Sequence, residues 1–113
     1  MVDKQLALKL WKYDMQDKEY AYNFSGKKIK KTEYLENNRV GWVVTYVKPL
    51  SYGGPDNESN MVIMHQETYL ERGDKYPIFN VVGKEYEAKY DERNDFYYIE
   101  RVISDDDDGG FFL

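Results

Sequence analysis

The sequence predicts a single α+β domain, for three reasons. Its 113 residues are the length of one domain, with residues 1–103 expected to form the domain and residues 104–113 an appended tail. Apolar residues recur at helical spacing near the start and alternate with polar residues, as in strands, in the last third. Tyrosine occurs twelve times, which favours half-exposed sheet faces, because a Tyr ring packs on one side while its hydroxyl stays in water.

A helix and a β-hairpin are predicted at the N-terminal end. Asp3 can cap a helix that carries Leu10 and Tyr13 on its inner face. Residues 20–24 alternate aromatic with smaller side chains, which is the period of a half-buried strand. A Ser-Gly turn leads into a returning strand, residues 27–31, whose central Ile is expected to point inward.

The middle of the chain predicts a short helix, a central strand and a longer helix. Thr32 can cap the short helix, which holds Tyr34 and Leu35. Residues 41–47 form the most apolar and β-branched run of the chain, which is typical of a central strand. A loop rich in Pro and Gly follows. The helical spacing of side chains after Asn60 then predicts a helix that ends before a Gly-Asp pair.

A small antiparallel meander is predicted in the last third. Residues 79–82 and 85–90 flank a Gly-Lys turn, and residues 96–102 follow a polar turn. The predicted core draws on all of these elements: Trp11, Tyr22, Phe24, Ile29, Trp42, Val44, Val47, Met61, Met64, Ile78, Val81, Tyr97 and Ile99.

Composition excludes several classes of function. Cysteine is absent, which excludes disulfides, thiolate catalysis and every Cys-ligated metal site. The apolar runs are too short for a transmembrane helix or the core of a signal peptide. We therefore expect a cytoplasmic protein with no membrane partner.

The net charge of −5 is distributed unevenly. Residues 1–50 carry ten Lys and Arg against six Asp and Glu, whereas residues 51–113 carry six against fifteen. Four of the later acids form one run near the C-terminus, so the predicted domain itself is close to neutral. Global charge gives no support for nucleic-acid binding, although a local basic stripe remains compatible with it.

One stretch resembles the core of the HNH endonucleases, the ββα-metal nuclease family. Residues 41–54 read GWVVTYVKPLSYGG, and Asn60-Met61 and Met64-His65 follow. HNH domains have a strand ending in Asp-His, then a Pro, a Gly-Gly loop, an Asn, and a helix with a metal-binding His or Asn. The flanks, residues 23–29 and 72–77, are similar to one branch of the family. The resemblance implies an HNH-like ββα core in a bacterial or phage protein.

The chemical positions of the family are changed in this chain. The resemblance places Thr45 at the metal-binding Asp, Tyr46 at the general-base His and Tyr69 at the helix ligand, and it retains Asn60. A divalent cation such as Mg²⁺ prefers anionic oxygens, and a Tyr pKa of about 10 is far from that of a base at neutral pH. We therefore interpret the chain as catalytically inactive, with no cofactor and no catalytic metal, acting by binding a protein or nucleic acid.

Two catalytic alternatives remain open at this stage. In the first, the chain is an active metal-dependent HNH endonuclease with substitute ligands around Asn60 and His65, helped by Asp56, Glu58 or Glu67. A packed or hydrogen-bonded His65 is the competing interpretation. In the second, a tyrosine at the site acts as a covalent nucleophile, although no dedicated base is evident beside it.

The lysines of the predicted hairpin and central strand are candidate nucleic-acid ligands. Lys27, Lys28, Lys30, Lys31 and Lys48 could contact phosphates if the ββα element lies against a duplex. The alternative is that they solvate and protect an edge strand, which the neutral charge of the domain favours.

The C-terminal tail is a candidate protein-binding segment. An acidic run and an apolar end could dock into a basic-rimmed pocket of a partner, or the acids could mimic DNA phosphates. The tail could instead pack on its own domain or be disordered. The tyrosine-rich surface also makes a homo-oligomer possible. The tail residues assigned to partner binding are Asp105, Asp106, Asp107, Asp108, Phe111, Phe112 and Leu113.

Overall fold

The structure, a computed structural model, describes residues 2–103 as an α+β fold with two α-helices and three small antiparallel sheets. The predicted fold class is therefore confirmed. Helix α1 spans Lys4–Met15 and helix α2 spans Gln66–Arg72. The strands pair as β1–β2, β3–β4 and β5–β6–β7. Their bounds are β1 Tyr20–Tyr22, β2 Lys28–Lys30, β3 Trp42–Tyr46, β4 Met61–His65, β5 Ile78–Val81, β6 Lys84–Asp91 and β7 Phe96–Arg101.

Helix α1 begins where the sequence predicts. The Asp3 carboxylate accepts a hydrogen bond from the Leu6 amide at 2.8 Å, which caps the helix. Ala7 and Trp11 are fully buried, so they define the inner face. Tyr13, predicted on that face, is 74% exposed, because at about 100° per residue it lies about 140° around the helix from the centre of a face formed by Ala7 and Trp11.

The tyrosines of the β1–β2 hairpin point to solvent, and the other face of the hairpin points to the core. Ala21 lies opposite Ile29, and opposed residues of an antiparallel pair share a face. Ile29 is buried as predicted, so Ala21 points inward and its neighbours point outward. The prediction that Tyr22 belongs to the core is therefore wrong, since this ring is 64% exposed.

The predicted short helix after this hairpin is replaced by a single turn of 3-10 helix over Lys31–Glu33. Tyr34 instead forms an isolated bridge with Trp42 and packs its ring against the indole at 4.9 Å between centroids. Tyr34 is extended, with φ −63° and ψ 127°, which ends the helical path, and Leu35 then has a left-handed φ of 64°.

The long helix predicted from Asn60 is wrong in its first half. Residues 61–65 form β4, paired in antiparallel register with β3 from Trp42 opposite His65 to Tyr46 opposite Met61. Helix α2 follows directly and ends at Gly73. The observed order is thus strand, strand, helix. That this unit is an HNH core stays a prediction.

The C-terminal meander is confirmed, with the strand order β5–β6–β7. Its first turn lies at Val82-Gly83, one residue earlier than predicted, because Val81 pairs with Lys84. Ile78 is 42% exposed, so its placement in the core is wrong. Phe79, which follows it on the other face of the strand, is buried instead.

The buried side chains form two clusters. The first joins α1, the hairpin and the β3–β4 pair, and Trp11 and Trp42 meet in it with ring centroids 4.7 Å apart. The second lies under the meander, where Phe79 stacks on Tyr86. Phe24 contacts both of those rings edge-on and so ties the hairpin to the meander. No helix in residues 2–103 is long and apolar enough to span a lipid bilayer.

Candidate functional site

The structure brings three of the four HNH-like positions to one cleft. Thr45 and Tyr46 end strand β3, and Tyr69 lies on helix α2, which packs against that strand. All three line two adjoining cavities of about 500 and 670 Å³. Asn60 does not line these cavities. It lies fully buried at the end of the loop that precedes β4. The cleft therefore brings together Thr45, Tyr46 and Tyr69, three of the positions that the sequence resemblance assigned to a site.

Tyr46 is held by a carboxylate across the cleft. Its hydroxyl donates a hydrogen bond to Asp56 Oδ1 at 2.6 Å. This bond raises the pKa of Tyr46 to about 12, because losing the proton would put two anions side by side. The same hydrogen bond lowers the pKa of the Asp56 carboxyl from its ordinary value. At neutral pH the pair is thus a neutral phenol bound to a carboxylate.

Asn60 organises the loop between β3 and β4. Its side-chain amide donates to the carbonyl oxygens of Lys48 and Pro55 at 2.8 and 2.9 Å. Its Oδ1 accepts a hydrogen bond from the Lys48 amide at 2.8 Å. A side chain at Gly54 would collide with the Lys48 carbonyl and with the Asn60 amide, so the loop needs glycine there. Asn60 therefore acts as a structural clamp.

Arg72 closes the other side of the loop from helix α2. Its guanidinium donates to the carbonyl oxygens of Tyr46 at 2.8 Å, Val47 at 2.6 Å and Lys75 at 3.2 Å. It is buried and lies over the Phe79 ring, 4.8 Å from the centroid. Burial lowers the pKa of the guanidinium from its usual value. This cation fixes the end of β3 and has no donor directed at solvent.

The rim of the cleft is apolar and unusually exposed. Leu35 and Leu70 are 65% and 66% exposed, and Leu50 and Tyr69 also present much of their surface to water. Together with the valines of β3 they give the cleft a mainly apolar lining. A contiguous exposed apolar surface of this kind is typical of a binding site.

His65 has a structural position at the start of α2. It is buried, and its Nδ1 accepts a hydrogen bond from the Glu67 amide at 2.9 Å, which caps the helix. Because Nδ1 is an acceptor, Nε2 carries the proton and donates to the Arg39 carbonyl at 2.7 Å. Both ring nitrogens are thus engaged, and neither is directed at the cleft as a ligand.

The carboxylates proposed as substitute ligands are held apart by separate partners. Glu58 pairs with Lys9 at 3.2 Å, and Glu67 pairs with Lys27 at 3.5 Å. Asp56 accepts a hydrogen bond from the Tyr46 hydroxyl. Among residues 2–103, no three His, Asp or Glu side chains cluster closely enough to hold a metal ion.

The candidate nucleic-acid lysines are mostly engaged within the chain. Lys31 pairs with Asp17 at 2.7 Å, and Lys27 pairs with Glu67. Lys28 and Lys30 lie over the exposed Tyr20 ring. Lys48 lies 5.9 Å from the Tyr76 centroid. Exposed ion pairs are weak, so these contacts compete with phosphate without preventing it, and the nucleic-acid role stays a prediction.

Sequence reasoning missed Arg72 as a buried contact and Leu35, Leu50 and Leu70 as the rim. A buried arginine is exceptional, and two of its three carbonyl partners, Tyr46 and Val47, are distant in the sequence, so the local pattern carries no signal for it. The predicted tail site, residues 104–113, lies outside the described residues.

Comparisons of the chain with models of protein families, with curated proteins and with solved structures find no match.

Proposed function

We propose that this protein is a catalytically inactive HNH-nuclease-like domain that acts by binding through the cleft between β3 and α2. The observation that carries the proposal is the hydrogen bond from Tyr46 to Asp56 at 2.6 Å, with the tyrosine pKa raised to about 12. A general base must lose its proton near the working pH. At neutral pH Tyr46 keeps its proton and uses it in this bond, so it cannot activate water.

The other two positions agree with this proposal. Thr45 offers a neutral hydroxyl where a divalent cation would need an anionic oxygen, and Tyr69 offers a neutral phenol in place of an imidazole or a carboxamide. Loss of a general base alone typically slows a reaction by about 10² to 10⁴-fold. The loss of both ligand types removes the electrostatic stabilisation of the phosphate as well.

Binding is supported by the surface that the cleft retains. Its apolar rim is exposed to water in the isolated domain, which is unfavourable, and a bound partner would remove this apolar surface from water. A scaffold can keep a recognition surface after its chemistry is lost.

The test is a cleavage assay with the purified full chain. Supercoiled plasmid and single-stranded oligonucleotides are incubated with the protein and Mg²⁺, Mn²⁺, Ni²⁺ or Zn²⁺ in turn. We expect no cleavage above the level of two cleft variants prepared in the same way, Thr45→Ala and Tyr69→Phe.

Metal-dependent cleavage by the natural chain that both variants lose would overturn the proposal. Cleavage that is equal in all three preparations indicates a contaminating nuclease and is removed by further purification before the comparison is made. His65→Ala is a weaker control, because that change also removes the cap of α2.

A further inference from the structure

We infer that the cleft receives a protein segment that inserts a bulky apolar side chain between β3 and α2 and places a basic residue near Asp74. This inference rests on the proposed function, since it gives the chemistry of the partner at the same cleft. It is carried by three observations: the apolar lining, the charges at its edge and the strained backbone at Leu35.

The shape and lining fit an apolar side chain. The cavity of about 500 Å³ lies between Pro49 and Leu50 on the loop and Tyr69 and Leu70 on helix α2. Cavities of this size accept groups as large as an aromatic or branched aliphatic side chain. The exposed rim would be removed from water by such an occupant, which is the main source of favourable free energy in protein association.

The charges at the cleft argue against phosphate as the occupant. Among the described residues, Arg72 is the one cation that lines either cavity; its hydrogen bonds all go to carbonyl oxygens inside the protein, and its buried charge also attracts Asp74. Asp74 lines the same cavity and is exposed. A nucleic-acid backbone would meet a carboxylate without an accessible cation, whereas a Lys or Arg beside the apolar anchor would meet a complementary charge.

Leu35 supplies the independent argument. This residue lines the neighbouring cavity with a φ of 64°, in the left-handed region that is costly for a branched side chain. Its side chain is 65% exposed, so the isolated domain gains little burial in return for the strain. A left-handed φ does not mark a site by itself, since the exposed Val82 has one as well; Leu35 differs because it lines the cleft. A contact between Leu35 and a partner would bury this side chain and offset the strain.

The experiment is a peptide selection on the whole chain. A library of random dodecapeptides displayed on phage is selected on the immobilised protein, and enriched sequences are synthesised with a fluorescent label. Their affinities are measured by fluorescence anisotropy for the natural chain and for two variants, Leu35→Asn and Val82→Asn.

The two variants form a matched pair. Val82, like Leu35, is exposed and has a positive φ, here 50°, but it does not line the cleft. Asn tolerates the left-handed backbone, so both changes should raise the melting temperature by a few degrees. We expect Leu35→Asn to weaken peptide binding roughly tenfold through the lost apolar contact, and Val82→Asn to leave it unchanged.

We expect the enriched peptides to combine a large apolar residue with Lys or Arg within a few positions. We also expect Asp74→Asn to lower the affinity of the protein for those peptides. Three results would each overturn the inference: no enrichment above the background on an unrelated protein, enrichment of acidic or purely polar peptides, or equal binding by Leu35→Asn and the natural chain. None of them bears on hydrolysis, so the catalytic inactivity in the proposed function is decided separately, by the cleavage assay.

Discussion

Tyr46 and Asp56 set the chemistry of the site at the scale of single residues. Their hydrogen bond, 2.6 Å long, raises the pKa of the phenol to about 12. Because the folded chain holds this proton more tightly than the unfolded chain does, the bond stabilises the fold fully below pH ~10, the unfolded pKa. That contribution is lost as the pH rises through about 12, the folded value.

Tyr46→Phe is therefore expected to reduce stability near neutral pH, and the difference from the natural chain should shrink between pH ~10 and 12. The direct measurement is the NMR titration of the tyrosine Cζ resonances, with this variant used for assignment. Tyr90, whose hydroxyl is bonded to Asp95 and whose pKa is also raised to about 12, is the internal reference. A Tyr46 resonance that titrates near the ordinary value would contradict the assignment of the bond.

Asn60, the one residue that the sequence resemblance matched to the family pattern, has a structural role here. It makes three hydrogen bonds to backbone groups in a site with no exposure to water. Asn60→Ala leaves those groups buried without partners, which should cost about 3 kcal/mol of unfolding free energy. Chemical denaturation measures this cost.

Asn57→Ala is the control for that change. Asn57 caps the adjacent 3-10 turn from an exposed position, so its loss should cost only about 1 kcal/mol. Equal costs for the two substitutions would show that the Asn60 clamp does not hold the loop.

Among the elements, helix α2 depends on His65 for its start. His65→Ala removes the cap and the bond to the Arg39 carbonyl, and we expect it to destabilise the fold by about 2 kcal/mol. His65→Asn keeps a capping oxygen and should recover about half of this loss. If the two variants proved equally unstable in thermal denaturation, capping would not be the contribution of this histidine.

The elements also show where sequence patterns are sufficient. Asp3 predicted the start of α1 and the alternation in the last third predicted the meander, because both signals are local. Residues 61–65 were predicted as helix, yet they pair with β3 along their whole length. Their short apolar run fits either structure, and pairing with a distant strand decided between them.

For the molecule as a whole, the predicted site was partly recoverable from the sequence. The resemblance assigned Thr45, Tyr46 and Tyr69 to one site, and these three residues line one cleft, because a strand end and the helix after the β3–β4 hairpin meet there. Leu35 and Arg72 could not be found in this way. Leu35 reaches the cleft from a segment that precedes β3. Arg72 is held there by hydrogen bonds to carbonyl oxygens at the end of β3 and in the loop after it.

Thr45, Tyr46 and Tyr69 are proposed to make this cleft chemically inert, and a calorimetric titration with Zn²⁺ tests this most directly. The natural chain is compared with a triple variant, Thr45→Asp, Tyr46→His and Tyr69→His, which restores a carboxylate and two imidazoles to the cleft. We predict one binding site in the variant and only the heat of dilution in the natural chain. Zn²⁺ binding by the natural chain at one site, abolished by Thr45→Ala and Tyr69→Phe, would contradict the account.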